Sequence, residues 1–257
     1  MNHANPHNYQ IPSGIRVYAI GDVHGHVDLL AQMHEAIFAD IARDTPEWAV
    51  IVTLGDYVDR GPDSRGVIDF LMGQAARDDG VGRVFIRGNH EDGMFDFMRE
   101  PFSSAWLQWG GIETLRSYGV EFDVDDYAAI LPREREDAAA ALKAALPKAH
   151  VRFLEACVSS HVIGDYLFAH AGVDPLKPLA EQVHKDFSRS RQPFLSWYKE
   201  ADYAPLEKRV VHGHTIGKEP IERPHRVGVD TGAYESGVLS AAVVEGGEIR
   251  FLQVGAG

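Results

Sequence analysis

The chain has 257 residues, of which 45% are hydrophobic, and its formal net charge is −13. This length and apolar content can bury the core of one α/β domain, so we expect residues 1–257 to form a single domain. Nucleic-acid-binding domains normally carry a basic stripe, so the acidic balance argues against an extended nucleic-acid surface.

Three features bear on the compartment in which the protein works. Residues 1–14 are polar and lack the cationic start and apolar core of a secretion signal, so we expect a loose N-terminal arm. The sequence has no run of about 18 apolar residues that could span a membrane. Its single cysteine, Cys157, excludes an intrachain disulfide and fits a reducing cytoplasm. We therefore expect a cytoplasmic protein without a membrane segment.

The first third of the chain alternates apolar, β-branched runs with helical patterns. Strands are predicted over 15–21, 49–54 and 83–87. Between them lie a helix over 27–43 and a second helix that reaches residue 75, for which Ser64 is the candidate N-cap. This βαβαβ order implies right-handed crossovers and a sheet that is at least partly parallel.

Residues 92–160 have a helical pattern and are predicted to form a subdomain inserted before a strand over 165–169. We expect this insertion to form one wall of a cleft. Its WLQWGG segment, Trp106 to Gly111, either presents aromatic rings to a ligand or packs internally. Later strands are predicted near 226–229, 238–244 and 248–254, with a hairpin turn at Gly246-Gly247.

Polar clusters follow five of the apolar runs, at the points where the predicted strands end. They are Asp22-Val23-His24, Asp56, Asn89-His90-Glu91, His170 and His212-Gly213-His214. Because ligand sites of α/β sheets lie outside the carboxyl ends of the strands, we expect the clusters to converge on one crevice. Carboxylate, imidazole and amide ligands without thiolate suit divalent transition metals in a hydrolytic site.

The motifs GDVHG, GDYVDRG, GNHE, HAG and HGHT, which begin at Gly21, Gly55, Gly88, His170 and His212, resemble the motif series of the calcineurin-like metallophosphoesterases. Within that superfamily, GDYVDRG and GNHE resemble the PPP-type phosphoprotein phosphatases, especially the small bacterial and lambda-phage-like enzymes. The match runs from about residue 15 to about residue 252. The resemblance implies a four-layer αββα sandwich, in which two packed mixed sheets are flanked by helices.

The resemblance also implies a centre of two divalent metal ions. One ion would be held by Asp22, His24 and the bridging carboxylate of Asp56. The second would be held by Asp56 together with three further side chains, which are Asn89, His170 and His214. Many members of the superfamily have a second histidine at the position of Ile216, so here water would complete the first site. Manganese is the expected ion in vitro, and the ligands also permit iron or zinc.

Two adjacent cations lower the pKa of a bridging water, which gives hydroxide for direct attack on phosphorus. The leaving alkoxide needs a proton, and His90 is the candidate acid because it is not required as a ligand and has a suitable ordinary pKa. Asp59 can orient that imidazole. The alternative is that Asp59 and His90 form only a hydrogen bond that fixes a loop.

Phosphate binding favours arginine, whose planar fork engages two oxygens. Arg60 is the first candidate, and Asn89 is a further contact. The segment DFSRSRQPFL resembles the family's stretch that ends in Trp-Ile-Arg-Glu-Pro-Phe-Leu, which implies Arg191 as the second arginine. Ser190 and Arg189 replace the expected Ile and Trp, so Arg189 remains a rival.

Three residues near the motifs keep open roles. His212 either supports the ligand set or makes a structural hydrogen bond. Asp230 and Tyr234 either line the cleft or form a turn.

The leading hypothesis is a metal-dependent phosphomonoesterase that acts on phosphoserine or phosphothreonine in proteins or peptides, with tolerance for phosphotyrosine. The rival is a dinucleoside polyphosphate hydrolase such as the symmetrical diadenosine tetraphosphatases. Those enzymes usually carry Ala at the position of Asp59 and Asp at that of Glu91. An RNA-end phosphatase and a phosphate-sensing scaffold without turnover are further alternatives.

Overall fold

The computed structural model describes residues 8–122, 130–199 and 206–255. In these segments the chain forms two five-stranded sheets that pack against each other, with helices outside. The predicted α/β architecture of two mixed sheets flanked by helices is confirmed.

The first sheet has the strand order β10-β9-β1-β2-β3. Its strands are β1 (Ile15–Ile20), β2 (Trp48–Thr53), β3 (Val81–Phe85), β9 (Val238–Glu245) and β10 (Glu248–Gly255). Strands β1, β2 and β3 are parallel, and β9 joins β1 in antiparallel orientation. The expected hairpin is present, since Glu245 pairs with Glu248 across Gly246-Gly247.

The second sheet has the order β4-β5-β6-β8-β7. Its strands are β4 (Ser160–Ile163), β5 (Tyr166–Ala169), β6 (Arg209–His212), β7 (Ile221–Glu222) and β8 (Arg226–Gly228). Strands β5, β6 and β8 are parallel. Each sheet therefore contributes a parallel centre whose carboxyl ends can carry ligands.

The described helices lie between and around these strands. They are α1 (Val27–Arg43), α2 (Ser64–Ala75), α3 (Asn89–Arg99), α4 (Gly111–Ser117), α5 (Pro132–Ala145), α6 (Lys148–Ala156), α7 (His184–Arg189) and α8 (Ala233–Ser236). Short 3₁₀ helices cover Trp106–Trp109, Leu179–Glu181 and Phe194–Lys199. None of the described helices combines the length and apolarity needed to cross a membrane.

The alternation of the strands explains why the sheets stack. Val17, Ala19 and Val52 of the first sheet share one buried cluster with Phe168 and Val211 of the second. The opposite face of the first sheet, including Tyr18 and Ile20, packs on α1 and α2 in a larger cluster. Packing on both faces of β1 therefore buries all of the strand except the half-buried Ile15, as its mostly apolar run predicts.

Two local features differ from expectation. Asp63, rather than Ser64, caps α2, because its Oδ1 accepts the amide of Gly66 at 2.7 Å. Helix α3 begins at Asn89, before the predicted helical segment, because the Glu91 carboxylate accepts the amide of Gly88 at 2.8 Å and closes the first turn. The first turn of α3 thus carries Asn89 and His90.

The described part of the predicted N-terminal arm, residues 8–14, is packed rather than loose. Tyr9 and Ile11 are buried, and the amide of Ile11 donates to the carbonyl of Gly246 at 2.8 Å. The Tyr9 hydroxyl donates to the carbonyl of Leu206. Apolar side chains two residues apart on an extended segment explain this docking. Residues 1–7 lie outside the described residues.

Candidate active site

The strand-terminal clusters meet in one cleft at the carboxyl ends of the parallel strands. Its cavity of about 260 Å³ is lined by Asp22, His24, Asp56, Arg60, Asn89, His90, Trp109, Arg189, Arg191 and His214. The segments that directly follow β1, β2, β3 and β6 contribute the first six of these residues and His214, with Asn89 and His90 in the first turn of α3. The predicted convergence of distant sequence segments therefore occurs.

His170 lies close to the three other predicted ligands of the second metal site. Its Nε2 is 3.0 Å from Asn89 Oδ1, 3.2 Å from His214 Nδ1 and 3.3 Å from Asp56 Oδ2. Ligand atoms that share an ion at about 2.1 Å are separated by roughly 3.0 to 3.4 Å. His170 therefore lies at ligand spacing from each of the three other side chains, and the ligand atoms of Asp56, His170 and His214 all lie within 4.8 Å of one another.

A backbone contact sets the tautomer of His170. Its Nδ1 donates to the carbonyl of Leu54 at 2.9 Å, so Nδ1 carries a proton and Nε2 is the nitrogen that faces the other predicted ligands. Metal-binding histidines are typically oriented in this way by a backbone or carboxylate partner. His24 has the same arrangement, since its Nδ1 lies 2.9 Å from the carbonyl of Val58.

The first predicted metal site is assembled in part. His24 Nε2 lies 3.6 Å from Asp56 Oδ2, and His90 Nε2 lies 3.8 Å from the same oxygen. Asp22 lines the cavity, and its two oxygens accept the amide of His214 at 3.1 and 3.0 Å. The ligand atoms of His24, Asp56 and His90 approach each other within 4.8 Å. Asp22 is outside that group, whereas the sequence placed it with His24 and Asp56.

The charges of the cleft suit bound cations. Burial, together with the carboxylates of Asp230 and Asp56, raises the pKa of Asp22 well above its usual value. Burial lowers the pKa of His24 and of His214 to about 3, which leaves both imidazoles neutral, the form that binds metals. Burial would lower the pKa of His170 as well, but the carboxylates of Asp56 and Asp22 outweigh it and raise that pKa to about 10. The buried carboxylates of the cleft thus favour positive charge, which a divalent cation can supply.

The backbone at this cleft is unusual. Among the described residues, the non-glycine residues with positive φ are Asn8, His24, Asp56, Asp59, Arg60 and His214. All but Asn8 belong to the predicted site. Such conformations cost of order 1–3 kcal/mol each and persist where the surrounding structure enforces them, as at functional sites.

Glu91 enforces part of this geometry. Its fully buried carboxylate accepts the amides of Asp56, Tyr57 and Gly88 at 3.0, 2.7 and 2.8 Å. It thereby connects the loop after β2 to the start of α3.

His90 and Asp59 form the predicted pair. His90 Nδ1 lies 2.6 Å from Asp59 Oδ2, and both side chains are buried. Burial lowers the pKa of His90, but the carboxylates of Asp56 and Asp59 more than offset this effect and raise it. His90 itself lines the cavity, and its Nε2 lies 3.3 Å from the guanidinium of Arg60.

All three candidate arginines line the cavity. The guanidinium of Arg60 lies 4.4 Å from the ring centroid of Tyr234, and that of Arg189 lies 5.3 Å from the ring centroid of Trp109. Arg191 is exposed. Arg189 and Arg191 are thus both within the site.

Sequence reasoning undervalued Trp109 and Tyr234. Trp109 belongs to the WLQWGG segment, and Tyr234 follows Asp230 in VDTGAY. Trp109 ends a 3₁₀ helix directly before Gly110, and Tyr234 lies in α8 two residues after Gly232, so an aromatic residue close to a glycine was the available signal. His212, whose role the sequence left open, makes a structural contact, since its Nε2 lies 3.0 Å from the guanidinium of the buried Arg226.

Comparisons with known proteins agree with this geometry. Residues 15–235 match the family model described as calcineurin-like phosphoesterase. Serine/threonine-protein phosphatase 1 of Salmonella typhimurium is 34% identical over 37% of this chain and 38% of its own length. The chain likewise spans only 41% of serine/threonine-protein phosphatase 2 of Escherichia coli. The asymmetrical bis(5'-nucleosyl)-tetraphosphatase PrpE of Bacillus subtilis is 25% identical over 83% of this chain and 84% of its own length.

Solved structures share the fold. A putative diadenosine tetraphosphatase superposes with a TM-score of 0.62 at 20% identity, over 94% of this chain and 95% of that one. A cold-active protein-tyrosine phosphatase of a psychrophilic Shewanella species superposes with a TM-score of 0.58 at 16% identity, over 96% and 83% of the two chains. With the family match over residues 15–235, the chain belongs to the calcineurin-like phosphoesterase family.

Proposed function

We propose that the protein is a metal-dependent phosphomonoesterase that hydrolyses phosphoserine and phosphothreonine in proteins or peptides, with tolerance for phosphotyrosine. The observation that carries this proposal is the His90–Asp59 pair, in which Nδ1 contacts Asp59 at 2.6 Å and the imidazole lines the cavity. The alkoxide of serine or threonine is a strongly basic leaving group, which needs a proton as the P–O bond breaks.

The proposed metal ligands are the six side chains that the sequence assigned to the metal centre. They are Asp22, His24, Asp56, Asn89, His170 and His214, and Asp56 would be shared between two ions. When bound, divalent cations supply Lewis-acid activation of water and of the phosphoryl group. Manganese is the proposed ion in vitro, and elemental analysis of purified enzyme distinguishes it from iron and zinc.

The residues of this chain then bind the phosphoryl group and move one proton. Arg60 and Arg191, with Arg189 beside them, can donate to the phosphoryl oxygens, and Asn89 can add an amide contact. Once Arg60 donates to the phosphoryl group instead of to His90 Nε2, His90 can carry a proton on Nε2 and give it to the leaving oxygen, while Asp59 stabilises the imidazolium through Nδ1. His90 then regains its proton from water.

A series of leaving groups tests the acid. We expect His90→Asn to reduce kcat on a phosphothreonine peptide by about 10²- to 10⁴-fold, the usual contribution of a general acid. Its loss on an aryl phosphate with a good leaving group should be much smaller, because that oxygen leaves without a proton. The variant should retain its metals. Equal losses on both substrates would remove His90 from proton transfer and contradict the proposal.

A second candidate function is hydrolysis of a dinucleoside tetraphosphate. The match to the Bacillus subtilis tetraphosphatase, over 83% of this chain, favours it. That relative is named as asymmetrical, whereas the sequence suggested the symmetrical class. A nucleotide leaves through a weakly basic phosphate oxygen, so this reaction makes little use of a proton from His90.

Parallel assays separate the two functions. Enzyme stripped with chelator and reconstituted with manganese is given a phosphothreonine peptide or diadenosine tetraphosphate, and kcat/KM is measured for each. We expect a higher kcat/KM for the peptide. A higher value for the dinucleotide would overturn the proposal, and the products would then assign the cleavage. ATP with AMP marks asymmetrical cleavage, whereas two molecules of ADP mark symmetrical cleavage.

A further inference from the structure

The Asp59 carboxylate has two partners besides His90. Its Oδ2, which contacts His90 Nδ1 at 2.6 Å, also accepts the indole N–H of Trp106 at 2.7 Å. Its Oδ1 accepts the hydroxyl of Thr114 at 2.7 Å. Asp59, Trp106 and Thr114 are completely buried. Both oxygens of the carboxylate are therefore fixed by donors away from solvent.

Counting protons fixes the direction of each contact. The indole N–H only donates, and an ionised carboxylate only accepts, so the single hydroxyl proton of Thr114 goes to Asp59. Ser64 must then donate in its 2.9 Å contact with Thr114. Thr114 Oγ1 also accepts the amide of Asp59 at 2.9 Å. Thr114 thus holds both the main chain and the side chain of Asp59.

The Trp106 indole has a closely fitted position. A Cβ atom at Gly111 would lie 2.5 Å from the ring, and one at Gly93 would lie 2.9 Å from it. Phe97 packs on the ring with a centroid separation of 5.0 Å. This packing keeps the indole N–H directed at Asp59 and gives Gly111 of WLQWGG a defined role.

We propose that Trp106 and Thr114 are positioning residues for proton transfer by His90, acting through the Asp59 carboxylate. The inference rests on the proposed function, which assigns His90 as the acid. Both residues come from the helical region between β3 and β4, Trp106 from its first 3₁₀ helix and Thr114 from α4. With both oxygens fixed, the carboxylate cannot rotate away from Nδ1, and the imidazole keeps its orientation towards the cleft.

Variants that remove one hydrogen-bond donor to Asp59 test the inference. Thr114→Val removes the hydroxyl, and we expect kcat on a phosphothreonine peptide to fall about tenfold, part of the contribution of a general acid. KM and metal content should stay unchanged, and the loss on an aryl phosphate should stay below about twofold because proton transfer matters little there. Thr114→Ser should restore kcat, because it returns the donor. Trp106→Phe, which keeps an aromatic ring but removes the N–H with part of the indole, should repeat the selective loss on the peptide and provides a second variant.

Tyr118→Phe is the matched control. It removes another buried hydroxyl of the same helical region, one that contacts His150 Nδ1 at 2.9 Å and does not contact Asp59. We expect its kcat to equal that of the wild type on both substrates. Similar kcat losses in Tyr118→Phe and Thr114→Val would mean that any loosened helical packing lowers activity, and would overturn the inference.

A double-mutant cycle completes the test. In an Asp59→Asn background, Thr114→Val should cause less than about a twofold further loss, because contacting residues that act together are not additive. A full additional tenfold loss, or equal losses on alkyl and aryl phosphates, would show that Thr114 does not act through Asp59. If the kcat loss of His90→Asn depends on the leaving group but the losses of Thr114→Val and Trp106→Phe do not, only this inference fails. If His90→Asn is not leaving-group dependent, the proposed function fails first.

Discussion

Two imidazole–carboxylate pairs in this protein differ in what surrounds them. In the cleft, His90 contacts the fully buried Asp59 at 2.6 Å. At the outer helices, His150 of α6 contacts Asp69 of α2 at 3.0 Å, and the Asp69 side chain is 59% exposed. The residue types are identical, so any difference in role must come from their surroundings.

The second ring nitrogen makes the difference. In His150, Nδ1 contacts the Tyr118 hydroxyl at 2.9 Å and Nε2 contacts Asp69, so both nitrogens have structural partners. In His90, Nδ1 contacts Asp59, and among the described residues the hydrogen-bonding contact of Nε2 is with Arg60, a candidate phosphate ligand, at 3.3 Å. A pair can transfer a proton to substrate only when one nitrogen is available in a cavity.

The largest effect on activity is expected for Asp56, a cleft carboxylate that has no counterpart beside the outer pair. Its Oδ2 lies 3.3 Å from His170 and 3.6 Å from His24. We expect Asp56→Asn to lose most of both metals in elemental analysis and to lower kcat/KM by more than about 10³-fold, because metal activation supplies several kcal/mol. Normal metal content would contradict the shared-ligand assignment.

Matching substitutions in the two carboxylates sharpen the comparison. Asp59→Asn should lower kcat on a phosphothreonine peptide by about 10²-fold, since its amide cannot accept every donor now directed at the carboxylate. Asp69→Asn should leave kcat within about twofold, because the outer pair has no access to substrate. Steady-state kinetics on both variants provide the check, and equal losses would erase the distinction between the pairs.

The outer pair should affect stability instead. His150→Asn leaves the buried Tyr118 hydroxyl without its partner, which we expect to lower the free energy of unfolding by about 1–3 kcal/mol. The kcat should not change. Urea denaturation measures the first quantity, and an unchanged midpoint would show that the pair contributes nothing to the fold.

A smaller, pH-dependent effect on stability is expected at Asp40, a buried carboxylate that belongs to neither pair. Burial would raise its pKa, but hydrogen bonds from Arg250 and Tyr18 outweigh burial and lower it. Because the folded pKa is below the unfolded value of about 3.9, the stabilisation is present above that pH and is lost as pH falls through the folded pKa.

The test compares wild type with Asp40→Asn in thermal unfolding between neutral and acidic pH. We expect the difference in Tm to be largest near neutral pH and to shrink below about pH 4. A difference that stays constant over this range would exclude ionisation of Asp40 as its source.

The predicted elements and metal ligands came from local pattern. Strands β1 and β2 were predicted because their apolar runs are continuous and end at polar residues, and the ligands directly follow those runs. Parallel strands bring their carboxyl ends to one edge of the sheet, so the positions of the polar clusters in the sequence were enough to predict that they meet in one cleft. Asp22 was predicted in the same way, but its carboxylate accepts the amide of His214, a contact with a segment 192 residues away that local pattern does not give.

By itself, the sequence determined the α/β order, the positions of the ligand clusters and the candidate pair of Asp59 and His90. Tertiary structure alone decided that Trp106 and Thr114 hold Asp59, from 47 and 55 residues away, and that His150 lacks a free nitrogen. The physical reason is the separation along the chain between the residues that determine each feature. Periodicity and strand ends are set by neighbouring residues, whereas the partners of a buried polar group depend on which distant segments pack around it.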